Sequence, residues 1–182
     1  VGLIVYEVAR GAGPALHTFG FGFLRTTAWD PVADQFGALP YIYGTLVSSG
    51  LALLLALPIG VGTAIYLAEL APPRVGEVVS FLIELLASIP SIVYGIWGVF
   101  VLAPWLRTTI EPWLIAHLGF LPLFQGFPFG LGMLNAGIVL GIMILPPIIS
   151  ISREVLLSMP RALREASLAL GSTRAEAIGV VV

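Results

Sequence analysis

The sequence predicts an all-α membrane protein, a bundle of apolar helices, on three observations. Of 182 residues, 58% are hydrophobic and only 10% charged, whereas a water-soluble domain carries about 25% charged residues. The mean hydropathy is +1.04, and so little polar surface cannot cover a fold in water. Finally, Gln35–Ala68 and Pro112–Ser152 carry no formal charge, and roughly 20 apolar helical residues cross a bilayer core about 30 Å thick.

Taken in order, residues 1–8 read as the end of a first membrane helix. Residues 9–42 mix Gly and Phe with Trp29, Asp30, Pro31 and Asp34 and read as a folded extracytoplasmic loop. The first complete span runs from about Tyr43 to Leu70. In "APPRVGE", 71–77, two prolines stop the helix and Arg74 marks a loop. A second span covers about Val78 to Leu106. Residues 107–130 are broken by Pro112, Pro122 and Pro128 and flanked by Trp105 and Trp113. Aromatic rings suit the headgroup level, so this stretch reads as re-entrant or interfacial. A third span covers Gly132–Ser152, and a further membrane segment starts at Ala177. The chain thus reads as truncated at both ends, with about three complete spans and two partial ones.

Composition removes several function classes. All eight basic residues are Arg, the net charge is -2 and there is no Cys. No basic patch suggests nucleic acid, and disulfides and thiolate metal sites are excluded. His17 and His117 stand apart from other ligand types, so no metal site is expected, and His117, four residues after Trp113, reads as an interfacial imidazole. If the 71–77 turn and the 153–176 segment share a side, it holds Arg74, Arg153, Arg161, Arg164 and Arg174, against Arg10, Arg25 and Arg107 opposite. The positive-inside rule then puts the first group in the cytoplasm.

Within the spans, Pro58, Pro90, Pro146 and Pro147 are expected to kink or break helices, and Gly60, Gly62, Gly95 and Gly98 to let helices approach closely. The pattern fits a bundle that rearranges as well as ordinary membrane packing. Glu84 lies inside the second span, where a charge is a functional candidate by default; pairing with an Arg near the cytoplasmic edge is the structural alternative. Glu69, at a span's end, reads as solvated, and Arg107 with Glu111 as an exposed pair. Arg25, Asp30 and Asp34 either meet an external partner or keep a loop wet.

The most distinctive stretch is "REASLALGST", 164–173. Within 158–176, Ser158 is placed to cap a helix start and Pro160 is tolerated in a first turn. Leu163, Ala166, Ser167 and Leu170 recur at helical spacing, giving one narrow face of small and apolar residues. Gly171 is placed to end the helix in a left-handed conformation, and Thr173 with Glu176 forms a capping box for the next helix. Too short and too charged to span, this helix reads equally as a cytoplasmic docking helix or a plain connector.

"EASLALG" resembles the EAA motif of ABC-transporter permeases: Glu165, Ala166 and Gly171 match, Ser167 replaces a second Ala, and Val181 falls at the motif's aliphatic position. "WDP" (29–31), "YGTL" (43–46), "IPSIVYGIWG" (89–98) and "WLR" (105–107) extend the likeness to phosphate-specific permeases of the PstC type. The resemblance implies a MetI-like transmembrane bundle over 43–182, in which Arg164, Glu165, Ala166, Ser167 and Gly171 couple to a separate ATPase. It implies a second permease subunit, two ATPase subunits with ATP and Mg, and a periplasmic or lipid-anchored phosphate-binding protein. This chain would bind no cofactor, catalyse nothing, and sit in a bacterial or archaeal plasma membrane. The Arg and Glu, three apart, that mark phosphate permeases belong to a later segment outside these residues, so no substrate-contacting residue is assigned. Sulfate and molybdate permeases share the EAA helix. An ion-coupled secondary transporter would show inverted repeats and paired intramembrane charges, where Glu84 stands alone. A membrane enzyme would need clustered His, Asp or Glu, such as a His-Glu-x-x-His helix, and none occurs.

Overall fold

The computed structural model describes residues 2–120, 127–173 and 176, without the side chains of Arg161, Leu163, Arg164 and Leu168. The chain divides into two compact units, Val1–Val47 and Ser48–Val182.

In the first unit, helix α1 (Gly2–Phe19) is longer than the eight residues expected and absorbs much of the anticipated loop. Once nucleated, a helix extends at little cost, and Ala9, Ala12, Ala15 and Leu16 favour extension. Gly20, at φ 59°, ends it in the left-handed region open to glycine. A two-residue hairpin follows, β1 (Trp29–Asp30) against β2 (Gln35–Phe36), antiparallel with Trp29 opposite Phe36. Its turn is made by Asp30, whose Oδ1 accepts the N–H groups of Val32 (3.0 Å) and Ala33 (3.2 Å). Trp29 packs edge-on against Phe36 and Tyr41, at 5.1 and 5.2 Å. The "WDP" stretch is therefore an aromatic-stapled turn, and Asp30 works on its own backbone.

Among the described residues, three helices are long and apolar enough to cross a membrane: α2 (Leu39–Leu70), α4 (Ser91–Leu118) and α5 (Met133–Ser158). Between them lies α3 (Pro73–Ala87), of 15 residues, and α6 (Arg161–Ala169) follows α5. The protein is a multi-pass helical membrane protein, but two boundaries differ from the sequence reading. The expected second span, 78–106, is split at Ser88–Pro90. Its second part continues through Arg107 to Leu118, where a re-entrant segment was expected. The third span likewise continues past Ser152 to Ser158, carrying Arg153 and Glu154 with it.

Backbone hydrogen bonding explains which prolines break a helix. A proline lacks the N–H that would bond the carbonyl four residues back. Three turns change to five-residue spacing: Tyr66–Leu70, Gly98–Leu102 and Leu106–Ile110. Each ends two residues before a proline (Pro72, Pro104, Pro112). In each, the residue just before the proline donates its N–H five residues back: Ala71 to Tyr66, Ala103 to Gly98 and Glu111 to Leu106. The wide turn absorbs the missing donor, so α4 runs through Pro104 and Pro112. Helices also continue through Pro58, Pro146 and Pro147. Only at Pro90, among the four expected kink sites, does a helix stop. There Leu86 loses its usual donor, and the Tyr94 hydroxyl replaces it at 2.9 Å, assisted by Ile89 N–H at 3.2 Å.

Small residues set the packing. Ala52, Ala56, Gly60 and Ala64 form a buried stripe on α2 that meets α5. A Cβ on Gly60 would lie 2.7 Å from Ile148 Cγ2, and one on Gly137 2.8 Å from Leu51 Cβ. Ala64, Leu67, Ile83, Ile149 and Leu156 close the core of α2, α3 and α5. Further along α5, buried Asn135 donates to Gly98 O at 3.2 Å, and a Cβ on Gly98 would lie 2.5 Å from Val139 Cγ2. Gly130, at φ 73°, donates to Glu111 Oε2 at 2.9 Å, so Glu111 holds the loop before α5.

Two outcomes are expected. Tyr94→Phe leaves the Leu86 carbonyl with only the longer Ile89 N–H bond and should cost about 1 kcal/mol, read as a lower midpoint when the purified protein is titrated with SDS. Gly98→Ala drives a methyl into Val139, whose β-branched side chain has little room to turn, and should cost about 1–3 kcal/mol in the same titration; adding Val139→Ala should restore much of the loss.

Candidate functional site

The functional candidates gather where α5 ends. Met159, at φ -65° and ψ 129°, leaves the helix in the extended conformation imposed by a following proline. After Pro160, α6 runs nine residues, Arg161–Ala169. Ser158 does not cap α6: it is the last residue of α5, and its Oγ donates back to Val155 O at 2.7 Å. The far end matches the sequence reading. Gly171 sits at φ 91°, Leu170 N–H reaches Ala166 O at 3.1 Å and Ser172 N–H reaches Ser167 O at 3.3 Å. The six-residue bond with a left-handed glycine is a Schellman closure.

Of the expected coupling residues, Glu165 and Ala166 are exposed and Ser167 is half-buried; the side chain of Arg164 and all of Val181 lie outside the described residues. Ser167, where the motif has Ala, adds a bond of its own, its Oγ lying 2.6 Å from Ser172 Oγ. The polar helix is thereby joined to its own exit turn. Beyond the turn, Thr173 N–H and Oγ1–H both donate to Glu176 Oε2 at 2.8 Å, and Glu176 N–H donates to Thr173 Oγ1 at 3.3 Å. This is the expected capping box. Backbone and side-chain bonds from Thr173 stabilise the carboxylate and hold Glu176 below the usual range for a glutamate.

Glu84 lines a cavity between α3 and α5 together with Ser80, Ser150, Arg153 and Glu154, above Ile83 and Ile149. Arg153, counted in the sequence only as an orientation signal, faces the same cavity, and its Nε is buried without a partner. No local pattern marks Arg153 or Asn135, because their burial depends on which helix packs beside α5. His117 stacks on Trp113 at 4.6 Å, with Nδ1 2.9 Å from Trp113 O. Among the described residues, no group of three or more His, Cys, Asp or Glu is placed to hold a metal ion.

The four prolines do not line one pocket but fall between the same two sets of contacts. Leu51 and Ala52 precede Pro58 and meet Gly137 and Gly141, which precede Pro146. Ala64 and Leu67, after Pro58, share a core with Ile149 and Leu156, after Pro147. Pro90 separates α3, which joins the second set, from α4, which joins the first through Gly98 and Val139.

Removing the Thr173 donors gives a direct check on the α6 exit. A carboxyl whose folded pKa is depressed adds stability at higher pH and loses it as pH falls through the lowered value. Thr173→Ala should therefore raise the Glu176 pKa toward its ordinary 4.5 and flatten the acid-side loss of helix, followed by NMR titration of the side-chain carboxyl.

A family of known proteins matches residues 56–182, described as "Binding-protein-dependent transport system inner membrane component". Relatives named "Phosphate transport system permease protein PstC" are similar along nearly the whole chain. The protein from Mesorhizobium japonicum is 45% identical over 186 residues, covering 100% of this chain and 57% of that protein. The one from Haemophilus influenzae is 45% identical over 183 residues, 98% of this chain and 58% of that protein. The one from Xylella fastidiosa strain 9a5c is 49% identical over 170 residues, 91% and 52%. The chain thus spans about half the length of the curated relatives it matches. No solved structure matches it. A multi-pass helical bundle whose matched region takes in the split at Pro90, the cavity between α3 and α5, and the polar helix closed by Gly171 belongs to the family of binding-protein-dependent transport system inner-membrane components.

Proposed function

We propose that this chain is part of the permease of an ATP-driven importer of inorganic phosphate, moved by a separate ATPase that docks on α6. The observation that carries the reading is α6 itself. A nine-residue helix bearing Arg161, Arg164 and Glu165 follows the apolar α5 directly and is closed by a left-handed glycine. A helix this polar gains nothing from lipid and is held in a fixed geometry by its exit turn, as a docking element must be. The relatives' printed names favour phosphate over sulfate or molybdate.

The permease in this reading forms no covalent bond. ATP and Mg belong to the ATPase, whose closure displaces α6 and so α5, which is joined to it by only Met159 and Pro160. A nucleotide shifts the bundle between inward- and outward-facing arrangements only through its different binding to the two. The assembly includes a second permease subunit, two ATPase subunits and a phosphate-binding protein outside the membrane, in the plasma membrane of a bacterium or archaeon. Pro58, Pro90, Pro146 and Pro147 are the positions at which the bundle would flex.

Replacing Gly171 by Val forces a β-branched side chain into the left-handed region, at a cost of roughly 1–2 kcal/mol, and tilts the exit of α6. In vesicles holding the complete transporter, Gly171→Val and Glu165→Ala should each lower vanadate-sensitive phosphate uptake about tenfold or more, and loosen the hold on the ATPase in pull-downs. Uptake at the unmodified rate, with the ATPase still attached, would remove α6 from the mechanism.

A further inference from the structure

The cavity between α3 and α5 measures about 280 Å³, close to the lower limit of roughly 300 Å³ for small-ligand sites. Its polar lining is Ser80 and Glu84 from α3, with Ser150, Arg153 and Glu154 from α5. Two of these groups have buried atoms without a hydrogen-bond partner, Ser80 Oγ and Arg153 Nε. Glu84 and Glu154 are exposed residues at the rim. The buried atoms are the guanidinium Nε of Arg153 and the hydroxyl of Ser80, both of which can donate to an oxyanion. The rim is a pair of carboxylates, which accepts an ammonium. A free phosphate would meet the two rim charges uncompensated, and a lone cation would leave Arg153 unsatisfied. A group that suits both carries an anion and a cation a few atoms apart.

The position of the cavity narrows this further. Arg153 lies five residues before the end of α5 at Ser158, or about 8 Å at 1.5 Å per residue. With 26 residues, α5 is about 39 Å long and overreaches a bilayer core of about 30 Å. Arg153 is the first charged residue after the uncharged run 112–152, so the overhang falls at this end and Arg153 reaches headgroup depth. Next in sequence to lining residues, Phe81, Leu85, Ile151 and Val155 are exposed, apolar surface on the same two helices suited to acyl chains.

We infer that this cavity binds the headgroup of a zwitterionic aminophospholipid, with the phosphodiester on Arg153 and Ser80 and the ammonium between Glu84 and Glu154. The site is distinct from α6, and the inference does not depend on which solute the protein carries.

The test is native mass spectrometry of the complete transporter, delipidated in detergent and mixed with ethanolamine, choline or glycerol phospholipids of matched chains. Ethanolamine lipid should be retained about tenfold more strongly than either of the others, a difference of about 1.4 kcal/mol. Arg153→Gln should abolish retention, Arg153→Lys should keep part of it, and Glu84→Gln with Glu154→Gln should erase the preference for ethanolamine over choline. Thermal midpoints of the variants identify any that fail to fold, and the Lys variant then carries the comparison. Equal retention of all three lipids overturns the inference. So does displacement of the lipid by inorganic phosphate alone, which would make the cavity an anion site. Cross-linking of Ser150→Cys to a neighbouring subunit in native membranes also overturns it, since protein would then fill the groove.

Discussion

In hydrocarbon there is no water to bond a free carbonyl, so every proline in a membrane helix creates an obligation for its surroundings. The architecture of this protein follows from how each obligation is met. Ahead of Pro72, Pro104 and Pro112 the helix widens by one residue per turn, and the residue before the proline bonds five back. Ahead of Pro90 no wide turn forms; the chain leaves the helix and Tyr94 supplies the donor through its side chain. At Pro104 and Pro112 the wide turn preserves a span, at Pro72 α2 ends after it, and at Pro90 the second solution divides a span. That difference makes α4 a single long helix and α3 a short one, and it sets where Glu84 sits.

Close packing supplies the second constraint. Helices in lipid gain little from burying apolar side chains, and hold together where small residues let backbones approach. The α2–α5 seam has this form, with Gly60, Gly137 and Gly141 each facing a neighbour within van der Waals reach of an added methyl. At the α4–α5 contact, the Gly98 carbonyl closes its own wide turn with Ala103 N–H and also accepts the Asn135 side chain. The same glycine that permits the approach thus presents the acceptor that fixes it. Asn135 is the one buried polar side chain in the described core, and it is kept by that bond.

What could be read from the sequence was whatever depends on neighbours along the chain. The apolar runs, the closure at Gly171 and the Thr173–Glu176 box are local, and the structure places them as expected. The Trp113–His117 stack at helical spacing is of the same kind. The errors lie where a local rule has two outcomes. Pro112 read as a helix breaker because a normal turn cannot accommodate it; a wide turn can, and nothing in "WLRTTIEP" announces the change. Pro90 reads as a kink or break inside one span, 78–106, and the structure takes the second outcome, ending the helix at Ala87. The hairpin at Trp29–Phe36 went unseen because two-residue strands have no periodicity to detect, and α1 was shortened because Gly11, Gly13 and Pro14 resemble loop punctuation. Arg153 and the cavity it lines depend on α3 lying beside α5, a tertiary fact.

The arrangement of prolines bears on how a displacement at α6 would travel. Pro146 and Pro147 remove two successive donors from the middle of α5, leaving the carbonyls of Ile142 and Met143 without their usual partners. Below that point α5 packs with α3 and the far half of α2, through Ile149, Leu156, Ile83 and Leu67. Above it, α5 packs with α4 and the near half of α2, through Asn135, Val139, Gly137 and Leu51. Pro58 divides α2 between the same two groups, and the break at Pro90 separates α3 from α4 along the same line. Three independent chain segments therefore lose backbone bonds at the boundary of two packed bodies, whereas the donors missing at Pro104 and Pro112 within α4 are absorbed by wide turns. A push on α6, in the proposed mechanism, would enter the lower body directly, since only Met159 and Pro160 intervene. Bending at the proline level costs no intact hydrogen bond at those rungs, whereas bending elsewhere breaks rungs and separates the glycine seam. Under the proposed coupling, the least costly response to such a push would be motion of the lower body against the upper one, with Pro90 and Tyr94 at the crossing.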